Sequence, residues 1–269
     1  MQDLDGTLPK AIEKLPHLKH LVLWANYLSG NIPPEWANTK LETLSVGVNR
    51  LTGKIPSYLG RITTLSYLNI QDNMLSGTVP PELGGLVNLE NLYLKMQDLD
   101  GTLPKAIEKL PHLKHLGLWA NYLSGNIPSE WANTKLETLS VGVNNLTGKI
   151  PGYLGRITTL SYLSNPESWH LCRNIQDNMF SGTVPPELGG LVNLKNLTLS
   201  GNYLTGELPP ALTNLTGLKE LRLSGNYFTG RIPDFIQSWK QLDTLEIQAG
   251  GFTGPIPLNI SVLANLTDL

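Results

Sequence analysis

Leu18-Lys-His-Leu21-Val-Leu23-Trp-Ala-Asn26-Tyr-Leu28-Ser-Gly30-Asn-Ile32-Pro33 holds the pattern Leu-x-x-Leu-x-Leu-x-x-Asn-x-Leu-x-Gly-x-Ile-Pro. The pattern returns at Leu41, Leu65, Leu89, Leu113, Leu136, Leu160, Leu194, Leu218 and Leu242. Its later half opens the chain at Gly6 and Pro9, which makes eleven copies. The spacing is 23 or 24 residues except after Leu160, where it is longer. A fixed period of this length marks a solenoid. Each copy buries its leucines only against its neighbours, at about 1.5–3 kcal/mol per fully buried Leu, so one copy alone should not fold.

Within a copy, position decides role. Leu21 and Leu23 are two apart, so on a strand they point to one side, into the core, while Val22 and Trp24 point outward. Stacked copies should pair as parallel strands. The Asn at position nine lies where the strand turns away, and its amide can bond backbone groups there that would otherwise be buried unpaired. Eight copies have it: Asn26, Asn49, Asn73, Asn121, Asn144, Asn178, Asn202 and Asn226; Gln2, Gln97 and Gly250 replace it elsewhere. Gly at position thirteen, from Gly6 to Gly254, fits a site with positive φ or a close backbone approach. Pro at position sixteen, from Pro9 to Pro257, should hold an extended outer segment.

Composition narrows the function. Of 269 residues 41% are hydrophobic and 16% charged, with a net charge of −2. No basic patch points to nucleic acid, and no apolar run approaches the ~20 residues of a membrane helix. The opening MQDLDGTLPK has no signal-peptide pattern. The single Cys172 cannot form an internal disulfide.

The Leu-x-Gly-x-Ile-Pro signature resembles the plant-specific leucine-rich repeats of receptor kinases, receptor-like proteins and polygalacturonase inhibitors. The resemblance implies an α/β solenoid, a superhelix of about eleven 23–24-residue repeats with a parallel β-sheet on its concave face. Lys95 to Pro104, Asn121 to Pro128 followed by Glu130-Trp131, and Ile232 to Trp239 followed by Ile247-Gln248-Ala249 look like receptor kinases that combine these repeats with a malectin-like domain. That likeness implies an extracellular ectodomain at the plasma membrane, with a kinase in a part of the parent absent from this chain.

The chain reads as one solenoid over 1–269, with near-identical blocks at 1–95 and 96–200. Residues 1–89 recur at 96–194 with the changes Val22/Gly117, Pro34/Ser129, Arg50/Asn145, Ser57/Gly152 and Leu75/Phe180. The second block carries a ten-residue insert at 164–173, inside a strand; Pro166 predicts a loop there. It reads as a binding loop with Trp169 and His170, or as translated intron. The chain begins mid-repeat and ends four residues into a strand, without polar caps, so a fragment with exposed core at both ends is expected.

Catalytic motifs are missing: no phosphate loop, nucleophile elbow or His-Glu-x-x-His. His17/His20 and His112/His115 have His-x-x-His spacing but no further ligand nearby, and Cys172 near His170 lacks an orienting group. No enzyme activity, metal or cofactor is expected. Trp36, Trp131 and Trp239 fall on core positions. Trp24 and Trp119 point outward, as binding anchors or as rings lying over their neighbours.

The outward strand positions give the candidate ligand face: His20, Trp24, Tyr67, Gln71, Asp72, Tyr93, His115, Trp119, Tyr162, Gln176, Asp177, Arg222 and Glu246. Aromatics among hydrogen-bonding groups with few charges suit a peptide, carbohydrate or protein ligand, with a co-receptor as a further partner. Glycosylation sequons stand at Asn145, Asn196, Asn214, Asn259 and Asn265, and Asn196 points onto the ligand face. The leading expectation is an extracellular recognition module of a plant receptor-like kinase. The alternatives are a soluble polygalacturonase-inhibitor-like defence protein and a structural or ice-associated repeat protein; the latter would want a regular outward Thr or Asn array.

Overall fold

The computed structural model describes residues 3–163 and 177–269, in two compact units that divide after Ser124. The insert at 164–173 and Gln176 lie outside the described residues. In the first unit the Leu-x-x-Leu-x-Leu segments form the strands His20–Val22, Thr43–Ser45, Tyr67–Asn69, Asn91–Tyr93 and His115–Gly117, each parallel to the next. Register puts Leu21, Leu44, Leu68, Leu92 and Leu116 in one row. That row is the core: Leu21 is 8% exposed and the others 0%. A two-residue period with one buried face accounts for this register, since a slip of one residue would expose the whole leucine row.

Past each Asn, the Leu-x-Gly stretch forms a second parallel sheet: Ser29–Gly30, Arg50–Lys54, Met74–Thr78 and Asp98–Asp100. The sequence predicts an extended segment on this side but no ladder. Position thirteen has positive φ as expected, 84° at Gly53 and 77° at Gly77. A Cβ at Gly101 would also lie 2.7 Å from Thr78 Cγ2, so close approach adds to the requirement.

The helical part of each repeat is a single 3-10 turn of five residues, such as Pro34–Asn38 and Pro81–Gly85. Pro80 precedes the latter in extended conformation (φ −69°, ψ 133°), fixing where it starts. Five residues are too few for a stable α-helix, and the tighter 3-10 turn brings the chain back to the next strand. Among the described residues no α-helix occurs.

Asparagine amides tie each strand exit to the next. Asn73 Nδ2 donates to Val46 O, Ile70 O and Gln71 O at 3.1, 2.9 and 3.1 Å, and its Oδ1 accepts from Leu51 N at 2.9 Å. Gln97 does the same work one repeat later, accepting from Leu75 N at 2.9 Å and donating to Ile70 O. The residue just before this amide is left-handed in every described full repeat. It is Gly201 and Gly225 in two copies but Val48 (φ 55°) and Val143 (φ 49°) in others, β-branched residues ill suited to that region. Nothing in the repeat pattern announces this conformation.

The second unit repeats the scheme. Its strands are Thr138–Ser140, Tyr162–Leu163, Asn196–Thr198, Glu220–Arg222 and Thr244–Glu246, and its second sheet contains Asn145–Lys149, Met179–Gly182, Tyr203–Gly206 and Tyr227–Phe228. The tryptophans assigned to the core are there: Trp36 and Trp131 are 0% and Trp239 1% exposed. Trp36 Nε1 and Trp239 Nε1 donate to Pro9 O and Leu212 O, each at 3.0 Å, so neither indole is buried with its N–H unmet.

Candidate functional site

Outward side chains of the first unit stand in three rows set by the strand register. One row holds His20, Thr43, Tyr67, Asn91 and His115, and the next Val22, Ser45, Asn69, Tyr93 and Gly117. Just past the strands come Trp24, Gly47, Gln71, Lys95 and Trp119. Side chains bond both within a row and between rows. The Tyr67 and Tyr93 rings lie 5.8 Å apart at 60°, a tilted pair. Asn69 Nδ2 donates to Tyr67 Oη at 3.3 Å, its Oδ1 accepts from Gln71 N at 3.1 Å, and His20 Nδ1 lies 3.0 Å from Thr43 Oγ1.

Lys95 is the charged residue this face buries, at 6% exposure. Its ammonium sits 5.1 Å from the centre of the Tyr93 ring, a cation–π contact made stronger by desolvation. Asp72 is half-buried at the left-handed strand exit, and burial raises its carboxyl pKa while Lys95 and a bond from Gln71 pull it back down. Gly117 makes room for this arrangement: a Cβ there would lie 2.8 Å from Lys95 Cε and 3.0 Å from Tyr93 Cδ1. The first block has Val22 at the corresponding place. That change is the sequence signal that could have singled out Gly117.

Trp24 is 40% exposed, and its six-membered ring lies over the next strand exit, where a Cβ on Gly47 would be 2.6 Å from Cζ3. Its geometry is thus that of a ring spread over a neighbour with one side open. Trp119 is half-buried and its indole N–H has no hydrogen-bond partner.

Among the described residues of the second unit's strand face, an ion-pair network around Arg222 stands beside a single tyrosine, Tyr162. Arg222 donates to both Glu220 and Glu246, and Asn196 Nδ2 donates to Glu220. Tyr162 is flanked by Lys195, whose ammonium is 5.7 Å from the ring centre. Asp177 is exposed at a left-handed exit. The predicted face residues therefore fall into two sets, His20 to Trp119 on the first unit and Tyr162, Asp177, Arg222 and Glu246 on the second. Of the sequon asparagines, Asn145, Asn214 and Asn265 are exposed, while Asn196 and Asn259 are half-buried. Asn259 Nδ2 is also bonded to Asp234 O at 3.0 Å.

No group of three or more His, Cys, Asp or Glu among the described residues could hold a metal ion. Among them, too, no helix is long and apolar enough to cross a membrane.

Comparison with known proteins agrees with the fold. The leucine-rich repeat family model matches residues 17–39, 64–86, 193–215 and 217–239. A probable leucine-rich repeat receptor-like serine/threonine-protein kinase of Arabidopsis thaliana is 48% identical over 65 residues, 24% of this chain and 6% of that protein. The structure of a plant peptide hormone receptor, RGFR1 in complex with RGF2, superposes with a TM-score of 0.89 at 31% identity, covering 99% of this chain and 41% of that one. A plant ice-binding protein gives a TM-score of 0.67 at 27% identity over 83% of this chain and 69% of its own. The fold is thus a leucine-rich repeat solenoid, similar to plant receptor ectodomains, and the chain spans less than half of the receptor it matches.

Proposed function

We propose that this chain is part of the extracellular recognition module of a plant receptor-like kinase, and that the strand face of its first unit binds an extended peptide. The observation that carries this reading is the set of three outward rows across five strands, with the Tyr67–Tyr93 pair set among amides and a buried cation. Tyrosines supply large, stiff contact area at low entropic cost, and the half-buried amides of Gln71 and Asn91 can meet a peptide backbone, while the buried Asn69 amide braces Tyr67 and Gln71. The likeness to a receptor solved with its peptide hormone supports the same choice. In this reading the chain is not catalytic, and signalling belongs to a kinase elsewhere in the parent. The malectin-like subtype rests on the quoted stretches of sequence alone. An ice-associated role would call for a regular outward array, and the row His20, Thr43, Tyr67, Asn91, His115 has none.

The test is titration of the chain with a pool of synthetic 12–15-residue segments of secreted plant peptides, ~12–15 residues being enough to lie across five strands 4.7–4.9 Å apart. Any hit is then measured against Tyr67→Ala, Tyr93→Ala and the distant control Tyr27→Ala. A loss of about tenfold or more at Tyr67 and Tyr93, with Tyr27→Ala unchanged, is expected. Peptides that bind equally well to all four proteins would overturn the assignment of the face.

A further inference from the structure

The second sheet of the second unit carries a groove that the peptide reading does not use. Tyr203 and Tyr227 hold the same position in successive repeats, and their rings lie parallel, 6.1 Å apart and 6° from coplanar orientation. They are 51% and 61% exposed. Beside them a groove of about 340 Å³ runs over Gly201, Gly225 and Ala249 and three ladder asparagines. It exists because the left-handed position lacks a large side chain in these copies, whereas others carry Val48, Met96 or Val143 there. The next residue in the tyrosine row is Gly251, so no side chain from that position covers Tyr227.

We propose that this groove binds a neutral polysaccharide chain. Its floor is already satisfied: Gly201 N and Gly225 N donate to Ser224 O and Gln248 O at 2.8 and 3.1 Å, and Asn202 and Asn226 Nδ2 bond Leu199 O and Leu223 O, both at 3.0 Å. A ligand therefore meets phenol hydroxyls and the ring face of Tyr227 that Gly251 leaves uncovered, the kind of surface that a pyranose covers with its C–H face while its hydroxyls stay wet. Charge narrows the class further. No charged side chain lines the groove, and the carboxylate of Asp177 stands against Gly201 at one end. A carboxylate accepts hydrogen bonds from sugar hydroxyls and repels uronates. A polyproline helix docks between splayed aromatic side chains, and parallel rings this close leave no slot for a pyrrolidine.

The chain is titrated by calorimetry with cellohexaose, mannohexaose, hexagalacturonate and decaproline. Binding of at least one neutral hexasaccharide is expected, with no heat from the other two probes. Tyr227→Ala should weaken it by about tenfold or more. Gly225→Asn should do the same by filling the floor; a Cβ there meets only Gly201 N at 3.4 Å and Cα at 3.5 Å, and Asn tolerates φ of 64°. Circular dichroism identical to the parent chain shows that each variant is folded, and Tyr203→Phe, which keeps the ring, should retain binding. No affinity for either neutral hexasaccharide, affinity unchanged in folded Tyr227→Ala and Gly225→Asn, or equal binding of hexagalacturonate or decaproline would each overturn the proposal. None of these outcomes touches the peptide face, which lies on other strands of the other unit.

Discussion

Replacing Asn73 by alanine should destabilise the first unit by about 2–4 kcal/mol, and the number follows from which of its partners have a second bond. Val46 O keeps the Asn49 amide at 3.0 Å, Ile70 O keeps Gln97, and Gln71 O keeps Val48 N at 2.9 Å. Leu51 N, in contrast, donates to Asn73 Oδ1 at 2.9 Å on a residue that is 0% exposed. Orphaning a buried N–H costs about 1–3 kcal/mol, and three carbonyls reduced from two bonds to one add about 1 kcal/mol together. Asn26→Ala is the control. Its Oδ1 accepts from Leu4 N in an exposed setting, where water can take over, so the expected cost is below about 1 kcal/mol. Asn73→Gln should fall between, because Gln97 already fills this role one repeat on.

The assay is urea unfolding followed by circular dichroism, with amide hydrogen exchange read at Leu51. A stack of repeats need not unfold in one step, so the residue-level protection decides between outcomes. If Asn73→Ala cost no more than Asn26→Ala and left Leu51 as protected as before, the ladder would be decoration and the reasoning wrong.

Four further outcomes are expected. Val48→Asn should stabilise by about 1 kcal/mol, since a β-branched residue at φ 55° gives way to one that tolerates it; an unchanged urea midpoint would deny the strain. Gly117→Val, which copies Val22 of the first block, should push Lys95 off the strand at a cost of about 1–2 kcal/mol and raise its acetylation by acetic anhydride several-fold, as read by mass spectrometry. Burial pushes the phenols of Tyr58 and Tyr153 up to about 12 from 10.0, so the unfolded chain releases these protons first. Their stabilisation is complete below pH 10 and disappears as pH climbs toward about 12, and the double change to Phe should flatten the urea midpoint across that window. Secreted behind a leader, the chain should carry glycans at exposed Asn145 and Asn214 and not at Asn196, whose amide is bonded to Glu220; glycopeptide mapping showing equal occupancy at Asn196 and Asn145 would reverse that ranking.

The core was legible because one periodic constraint wrote it eleven times. Leu21, Leu44 and Leu68 occupy equal places in the repeat, and burial of one forces burial of all. The asparagine ladder was legible too, as a buried turn needs polar partners. The left-handed exit was not. Ala25, Val48, Asp72 and Met96 share no chemistry, and the conformation is imposed by backbone bonds between repeats, such as Val48 N to Gln71 O, rather than by the residue that adopts it. The second sheet was missed because its strands bury one residue each, Leu51 in Arg50–Lys54 and Leu75 in Met74–Thr78, and so leave no two-residue alternation in the sequence. On the strand face, register decides which residues share a row, but which of them touch depends on neighbours. Lys95 is buried because the following strand has glycine at 117, a relation between repeats that no single copy displays.

The duplication sharpens where recognition should reside. Val22, Pro34, Arg50 and Ser57 are exposed, and their replacements Gly117, Ser129, Asn145 and Gly152 leave the core alone; only Leu75/Phe180 is a change between two residues at 0% exposure. Immediately past the copied stretch the blocks part on the strand face itself, with Glu90 and Tyr93 answered by Lys195 and Thr198. The first unit therefore has two tyrosines in contact, whereas in the second Tyr162 has a lysine beside it and a threonine where its partner ring would be. Since an aromatic pair contributes about 0.5–1.5 kcal/mol beyond its buried area, the two faces cannot be equivalent despite their common origin. A peptide that uses the pair should lose affinity on Tyr67→Ala and keep it on Tyr162→Ala, in one and the same preparation. Equal losses at both positions would mean that the shared repeat skeleton, and not the divergent tyrosine, holds the ligand.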